Sequence, residues 1–275
     1  MFRTKFAVLK CDPCGTQRIV PRVLSDQSDA ARLYNEADHT RVAIPVERIE
    51  WGVRRILKRM DEVGIRFQAG MTVIDVGCSE GMLADRIRAS FGCDVTGIEV
   101  DALALEKARK LHPNTKFVHG LFQDHFGDLP KADVVIASAI LEHVTHPPDF
   151  LRDLGKLLKP NGQLFILTPN TRSLNYRLIQ SWWRELLSIK EHIYLFDPTS
   201  LPTVASRAGF EVSQVGTDYD QIIFCWDFRS VKNVVVTLYA IYRNAIKFVC
   251  RSLPVGLTGD ILYARLGQPN RRSQD

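Results

Sequence analysis

Val73-Ile74-Asp75-Val76-Gly77-Cys78-Ser79-Glu80-Gly81 is a short apolar run that ends in small residues and precedes a helical pattern. It predicts a strand, a tight turn and a helix. Gly77, Ser79 and Gly81 alternate in this turn, and a backbone that turns sharply against a ligand needs such small side chains. The alternative is a turn that only joins strand to helix. The spacing matches neither the dinucleotide fingerprint GxGxxG nor the phosphate loop GxxxxGK, so we expect a nucleotide-like ligand without a pyrophosphate.

A second predicted strand, Asp94 to Ile98, is followed by Glu99, about 20 residues after the first turn, where an acid can accept both ribose hydroxyls. An acid before a glycine-rich turn, with a ribose acid after the next strand, resembles the class I S-adenosylmethionine-dependent methyltransferases. Ser79 departs from the middle glycine of that family. The resemblance implies S-adenosylmethionine as the cofactor, with its methionine part held around Asp75, Gly77, Cys78, Ser79 and Gly81 and its ribose at Glu99.

The adenine part of the predicted cofactor site departs from the family at Gly120-Leu121-Phe122. Many relatives place an Asp beside this glycine to bond the adenine amino group, whereas Leu121 and Phe122 offer backbone groups and apolar contact. We therefore expect packing to hold the adenine, with Val100 on its other side. Asp124 is a substitute polar partner, and Ser138 completes the implied cofactor-binding residues.

Strand and helix patterns alternate along the chain with short Gly/Pro punctuation, which indicates a parallel sheet covered on both faces. With the family resemblance, this predicts an α/β fold. It is a Rossmann-like, doubly wound sheet of seven strands, mostly parallel with an antiparallel last strand, and with helices on both faces. The later predicted strands are Lys116 to Val118, Asp133 to Ala137, Gln163 to Thr168, Glu211 to Gly216 and Asp260 to Leu266, and the helices are Pro45 to Val63, Met82 to Phe91, Ala102 to Leu111 and Asp149 to Leu158.

Further motifs extend the resemblance over about Val46 to Val215. The segment from Asp133 to Val144 is similar to the fourth-strand motif of ubiquinone-type and sugar-type methyltransferases, and 158–162 is similar to their Lys-Pro-Gly-Gly turn. In that turn Asn161 replaces a glycine, and asparagine tolerates positive φ well. The domains implied are an irregular N-terminal extension (1–44) and a methyltransferase domain (45–275), which has a substrate-side lid at about 171–195 and an amphipathic helical insertion at about 227–253.

Two histidines are the candidate catalytic residues. His143 follows the fourth strand, where the family's cleft opens, and His192 lies on the expected substrate side. Either one can act as a general base near neutral pH, and either one can instead have a structural role in its loop. Glu142 is expected to orient a loop or a cofactor group. In the lid, one of the adjacent Trp182 and Trp183 can face the acceptor, or both can serve packing.

Cys11 and Cys14 form a single CxxC knuckle, whereas a structural zinc site needs four ligands. No second knuckle follows in the sequence, so we predict that the chain holds no metal. The six scattered cysteines fit reduced thiols in a cytosol.

The segment 227–253 has apolar residues at helical spacing and Arg243, Lys247 and Arg251 every four residues on another side. This pattern predicts a basic amphipathic helix. Three roles stay open for it: it caps the substrate pocket, it dimerises, or it lies on an anionic membrane surface that presents a lipid-linked acceptor.

The composition of the 275 residues, with 45% hydrophobic and 24% charged residues, is that of a globular protein with one large core. The net charge of +5 comes without an RNA-binding motif, so we predict no nucleic-acid partner. The chain has no secretory-signal pattern or membrane-span pattern, which predicts a cytoplasmic protein, with contact at the inner face of the membrane as the alternative.

The predicted function is methyl transfer from S-adenosylmethionine to a small-molecule, glycan or lipid-linked acceptor, with oxygen as the favoured atom. The alternative is a non-catalytic S-adenosylmethionine-binding or membrane-associated scaffold. The sequence leaves the oligomeric state open.

Overall fold

The computed structural model describes residues 7–20, 46–179, 192–218 and 259–269. The proposed insertion at 227–253 lies outside these residues, as does the middle of the proposed lid with both of its tryptophans. The division into domains therefore stays a prediction. Within the described part of the chain, no helix is long and apolar enough to cross a membrane.

A seven-stranded sheet forms the body of the molecule, in the order β5-β4-β3-β6-β7-β10-β9. The five strands from β3 to β7 are parallel, and β10 pairs antiparallel with both β7 and β9. The predicted sheet is thereby confirmed, including its antiparallel last strand. The strands are β3 (Thr72–Val76), β4 (Asp94–Glu99), β5 (Lys116–His119), β6 (Ala132–Ser138), β7 (Leu158–Pro169), β9 (Glu211–Asp218) and β10 (Ile261–Gly267).

Helices cover both faces of the sheet because successive strand residues point to opposite faces and are apolar on each of them. Val134 and Ile136 of β6 belong to one hydrophobic cluster, whereas Val135 and Ala137 belong to the other. The first cluster includes residues of α1 and α2, and the second includes residues of α4 and α6. The helices are α1 (Val46–Glu62), α2 (Met82–Phe91), α3 (Ala102–Leu111), α4 (Pro147–Lys156), α5 (Leu174–Ile179) and α6 (Ser200–Arg207).

The order of the strands reverses beside β3. The chain runs outward from β3 through β4 to β5 and then returns to β6 on the other side of β3. In open parallel sheets, the crevice at the carboxyl ends of the strands beside such a switch point is where ligands bind. Gly77 follows β3 and Ser138 ends β6, so the fold brings these two residues to the same crevice.

The N-terminal segment was predicted to be irregular, but residues 7–20 form a β-hairpin. Its strands β1 (Ala7–Lys10) and β2 (Gln17–Val20) are antiparallel, and β2 also pairs with β8 (Tyr194–Leu195). The turn between β1 and β2 carries the CxxC knuckle, with Gly15 at φ +72°. Strands of four residues leave little pattern in the sequence, and their third partner is distant in the chain.

The largest difference in element boundaries is at the start of β7. Helix α4 ends at Lys156, and the strand begins at Leu158 rather than at Gln163. The β6–β7 register shifts between Ala132 and Val134, so the Lys-Pro-Asn-Gly segment is accommodated as an irregularity inside the strand. Asn161 there has φ +64°, in agreement with the expected tolerance of asparagine for positive φ.

Candidate active site

A cavity of about 230 Å³ opens at the carboxyl ends of β3, β4 and β6. Seven of the ten predicted cofactor-binding residues line it, namely Gly77, Ser79, Glu99, Val100, Leu121, Phe122 and Ser138. His143, one of the two candidate bases, also lines it. Other lining residues include Val76, Ile98, Gly120, Gln123, Ala139, Ile140 and Phe150.

The backbone of the Gly77–Gly81 loop has three residues with positive φ, at +72° for Gly77, +49° for Ser79 and +80° for Gly81. A Cβ on Gly77 would lie 2.2 Å from Cδ1 of Ile140, so this position has no room for a larger residue. Ser79 adopts the left-handed conformation in spite of its Cβ, which costs about 1–2 kcal/mol. The serine therefore reproduces the backbone shape of the glycine that it replaces.

Glu99 is the carboxylate that fixes this loop. Its Oε2 accepts a hydrogen bond from the Ser79 backbone N–H at 2.8 Å. Its Oε1 accepts from the N–H groups of Val100 at 2.8 Å and Asp101 at 2.9 Å. An ionised carboxylate accepts about four hydrogen bonds, so three are used here and one ribose hydroxyl can be added directly. A second hydroxyl would share an oxygen with one of the backbone donors.

Asp75, Cys78 and Gly81 are not among the residues that line the cavity, and Asp75 and Cys78 are buried behind the loop. Burial, with the nearby charge of Glu99, raises the pKa of the Asp75 carboxyl to about 7. Burial likewise raises the pKa of the Cys78 thiol, which makes this cysteine a packing residue rather than a nucleophile. Asp75 can act on a ligand through its charge and through the shape of the loop, without direct contact.

Gln123 is a site residue that the sequence reasoning missed. It lines the cavity beside Leu121 and Phe122, and its Oε1 is buried without a hydrogen-bond partner among the described residues. Asp124, the suggested substitute, is exposed and does not line the cavity. The two residues lie in a short 3-10 helix, Phe122–His125, in which successive side chains point about 120° apart. The residue at which that helix begins determines which polar side chain faces the cavity. The sequence contains no signal for that starting residue.

Phe122 is held by aromatic contacts on the core side. It makes edge-to-face contacts with Phe126 at 5.8 Å and Phe150 at 5.6 Å between ring centroids. This side of the cavity is therefore mainly apolar, with Gln123 as a polar residue beside Phe122.

The two candidate bases are neighbours in space. The rings of His143 and His192 have centroids 4.9 Å apart, and Glu142 Oε1 lies 4.0 Å from Nε2 of His143. Glu142 is buried, and its Oε2 accepts a hydrogen bond from Thr168 Oγ1 at 3.0 Å. Ligand-type atoms of the two histidines and Glu142 all lie within 4.8 Å of one another. The group can relay a proton, and its atoms are also close enough to hold a cation, so the metal-free prediction stays a prediction.

A second cavity of about 270 Å³ adjoins the first. Ser138 and Ala139 line both cavities, and Glu142 lines the second. A ligand in the first cavity and a ligand in the second would therefore meet at the end of β6.

The residues of the first cavity fit S-adenosylmethionine. The loop has no space for larger side chains at Gly77 and Gly81, which suits the amino-acid part of the cofactor. The Glu99 carboxylate has one acceptor position left for a ribose hydroxyl. The buried Oε1 of Gln123 can accept from an adenine amino group. The carboxylate of Glu99 in the cavity wall also suits a ligand that carries positive charge.

Comparisons with known proteins agree with this geometry. A family model described as a methyltransferase domain matches residues 48–215. The mitochondrial ubiquinone biosynthesis O-methyltransferase of Schizosaccharomyces pombe is 29% identical over 199 residues, which are 66% of this chain and 69% of that protein. The ubiquinone biosynthesis O-methyltransferase of Thiobacillus denitrificans is 32% identical over 165 residues, 56% of this chain and 71% of that protein. For other relatives of that name the match spans about half of their length.

Among solved structures, the phosphoethanolamine N-methyltransferase 2 of Haemonchus contortus in complex with S-adenosyl-L-methionine superposes with a TM-score of 0.59 at 16% identity. The match covers 92% of this chain and 62% of that one. At this identity the similarity supports the fold alone.

Proposed function

Because this chain belongs to the methyltransferase-domain family and is an S-adenosylmethionine-dependent methyltransferase, we propose that its two adjoining cavities hold the methyl donor and the acceptor. The acceptor is a small molecule, and oxygen is the atom methylated. The observation that supports separate donor and acceptor cavities is the wall that they share, formed by Ser138 and Ala139. His143 lines the donor cavity, and Glu142 lines the acceptor cavity.

In the donor cavity, we assign the ribose to Glu99 and the methionine part to the loop of Gly77, Ser79 and Gly81. Asp75 and Cys78 support that loop from behind.

Val100, Leu121 and Phe122 pack around the adenine, with Gln123 added as the residue that accepts a hydrogen bond from the adenine amino group. Ser138 lies at the junction of the two cavities.

The bound cofactor supplies a methyl group on a positively charged sulfur, which is already activated for transfer. The protein has to align an acceptor oxygen and accept its proton. We assign the proton to His143, because it lines the donor cavity, while His192 is buried beside it. Glu142 stabilises the imidazolium that forms through its negative charge, since its Oε1 lies 4.0 Å from His143 Nε2.

Calorimetric titration with S-adenosylhomocysteine tests the donor assignment without any acceptor. We expect the wild-type protein to bind it, with NAD as the negative comparison, and Glu99→Ala to weaken binding at least about tenfold, as for a charged hydrogen-bond partner. Glu106→Ala is the matched control, because Glu106 is an exposed acid on α3 that pairs with Lys110. A folded wild-type protein that does not bind S-adenosylhomocysteine would contradict the proposal and favour the scaffold alternative.

The role of His143 is tested by the pH dependence of methyl transfer. We expect His143→Asn to lower kcat with little change in S-adenosylhomocysteine affinity, and to remove the acidic limb of the kcat profile. His192→Asn is the comparison. If His192→Asn alone removes that limb, the base is His192 and the assignment to His143 is wrong.

For the acceptor, we propose a hydroxylated ring of the quinone type ahead of a glycan or another lipid-linked molecule, supported by relatives named as ubiquinone biosynthesis O-methyltransferases. Peripheral membrane contact through 227–253 and the oligomeric state stay predictions. Co-sedimentation with anionic and neutral vesicles tests the contact, and equal recovery with both would argue against it.

A further inference from the structure

The acceptor cavity has a cationic wall that the proposed O-methylation does not by itself require. Helix α1 contributes Trp51, Arg55 and Arg59 to this wall, each four residues apart and therefore on one side of the helix. The side chains of Arg55 and Arg59 are 16% and 5% exposed, so both guanidinium groups are largely removed from bulk water.

These two arginines converge on one carboxylate. Arg59 Nε donates to Asp218 Oδ2 at 3.2 Å, and Arg55 Nη2 contacts the same oxygen at the end of β9. The Arg55 guanidinium also lies over the ring of Trp51, with Cζ 5.2 Å from the ring centroid. Asp218 and Trp51 thus hold the guanidinium of Arg55 at the cavity in a fixed orientation. A guanidinium has five N–H donors and matches oxyanions geometrically, so it can pair with Asp218 and contact a ligand oxyanion at the same time.

The opposite wall of the cavity carries a different chemistry. It is formed by Ser138 and Ala139 at the end of β6 and by Glu142 of the short 3-10 helix that follows, next to the donor cavity. The strand order β6-β7-β10-β9 places Leu167, Pro169 and Ile261 between the end of β6 and Asp218 at the end of β9, and Ile56 of α1 also lines the cavity. The cavity therefore has a cationic end, an apolar middle and an end at the site of methyl transfer.

Resting on the proposed function, we propose that the acceptor carries an anionic group, a carboxylate or a phosphate, which binds at Arg55 and Arg59. The apolar body of the acceptor lies against Ile56 and Leu167, and its hydroxyl group points to Ser138 and His143. Arg55 is then a specificity-determining residue, because an acceptor without the anionic group would not form the charge-assisted hydrogen bond to its guanidinium.

The test is calorimetric titration of the protein saturated with S-adenosylhomocysteine. One probe pair is 3,4-dihydroxybenzoate and the uncharged 3,4-dihydroxybenzamide, and the other is phenyl phosphate and phenol. We expect at least one anion to bind about tenfold or more tightly than its uncharged counterpart, as for a charge-assisted hydrogen bond. Preference in the first pair identifies a carboxylate acceptor, and preference in the second pair identifies a phosphorylated one.

Three variants connect this preference to the cationic wall. Arg55→Gln should reduce the ratio of the two affinities to about twofold or less, and Arg55→Lys should retain part of it. Arg54→Gln, the exposed neighbour on the same helix, should leave the ratio unchanged. Because each ratio is measured within one variant, a general loss of folded protein affects both affinities alike.

Two results overturn the inference: no preference for either anion in the wild-type protein, or a preference that persists in Arg55→Gln. Neither result bears on the donor assignment, because S-adenosylhomocysteine binding is measured first and separately. Failure of that first titration counts against the proposed function itself.

Discussion

The tightest position in the donor loop, apart from Gly77, is Gly81, where a single methyl group should have a measurable effect. Gly81 has φ +80° and precedes α2. A Cβ at this position would lie 2.5 Å from Cζ of Phe117 and 3.2 Å from Cβ of Ala108. Phe117 is a half-buried residue of β5 that packs against a hydrophobic cluster, so its ring would have to shift to admit the methyl group.

Two terms set the expected magnitude for Gly81→Ala. An alanine in the left-handed region costs about 1–2 kcal/mol, and overpacking against the half-buried ring of Phe117 costs about 1–3 kcal/mol more. The sum, about 2–5 kcal/mol, is a large part of the roughly 5–15 kcal/mol by which domains are stable. Gly70→Ala isolates the first term, because Gly70 has φ +82° and no atom lies within 4 Å of the methyl group that an alanine would add there.

Urea unfolding of both variants gives the two free energies, and S-adenosylhomocysteine titration gives the effect on the loop. We expect Gly81→Ala to lose about 1–3 kcal/mol more stability than Gly70→Ala, and to lose affinity for the ligand, whereas Gly70→Ala keeps it. Equal losses of stability in the two variants, with ligand affinity intact in both, would refute the argument from steric fit.

Two further predictions concern buried polar groups in the donor site. Burial and the charge of Glu99 raise the pKa of Asp75 to about 7 in the ligand-free protein. The protonated carboxyl, which favours the folded state, is therefore present at low pH and is lost as the pH rises through 7. Urea unfolding should show the wild-type protein losing up to about 3 kcal/mol relative to Asp75→Asn between pH 5 and pH 8, and a constant difference would contradict the buried-carboxyl account. Gln123→Leu should weaken S-adenosylhomocysteine binding about tenfold, as for a lost buried hydrogen bond, whereas Asp124→Ala should not. The reverse order would return the adenine contact to Asp124.

The fold was predictable because its signals are local and repeated. Met82–Phe91 and Ala102–Leu111 have the predicted boundaries, and the helix predicted from Pro45 to Val63 runs from Val46 to Glu62. The glycine-rich turn and Glu99 also lie where parallel strands must end, so their meeting at one cavity follows from the topology.

The parts that the sequence reasoning missed depend on contacts between distant segments. The N-terminal hairpin was missed because β2 finds its third strand at Tyr194–Leu195, far along the chain. Gln123 was missed because the rotation of one short 3-10 helix decides its direction. The arginine pair of α1 has the pattern of a solvated outer face, whereas Asp218, at the end of β9, draws Arg55 and Arg59 inward.

The N-terminal hairpin has a practical consequence for anyone who trims this protein. The family match begins at residue 48, and a truncated protein that starts near there would keep the seven strands of the sheet. It would lose the hydrogen bond that the Ile19 N–H donates to the Ile193 carbonyl at 3.0 Å, next to His192. Ile193 connects this strand to the site, because its own N–H donates to the Glu142 carbonyl at 2.7 Å. We expect such a fragment to bind the donor and yet to turn over poorly, which would place the boundary of the working enzyme ahead of the boundary drawn by homology.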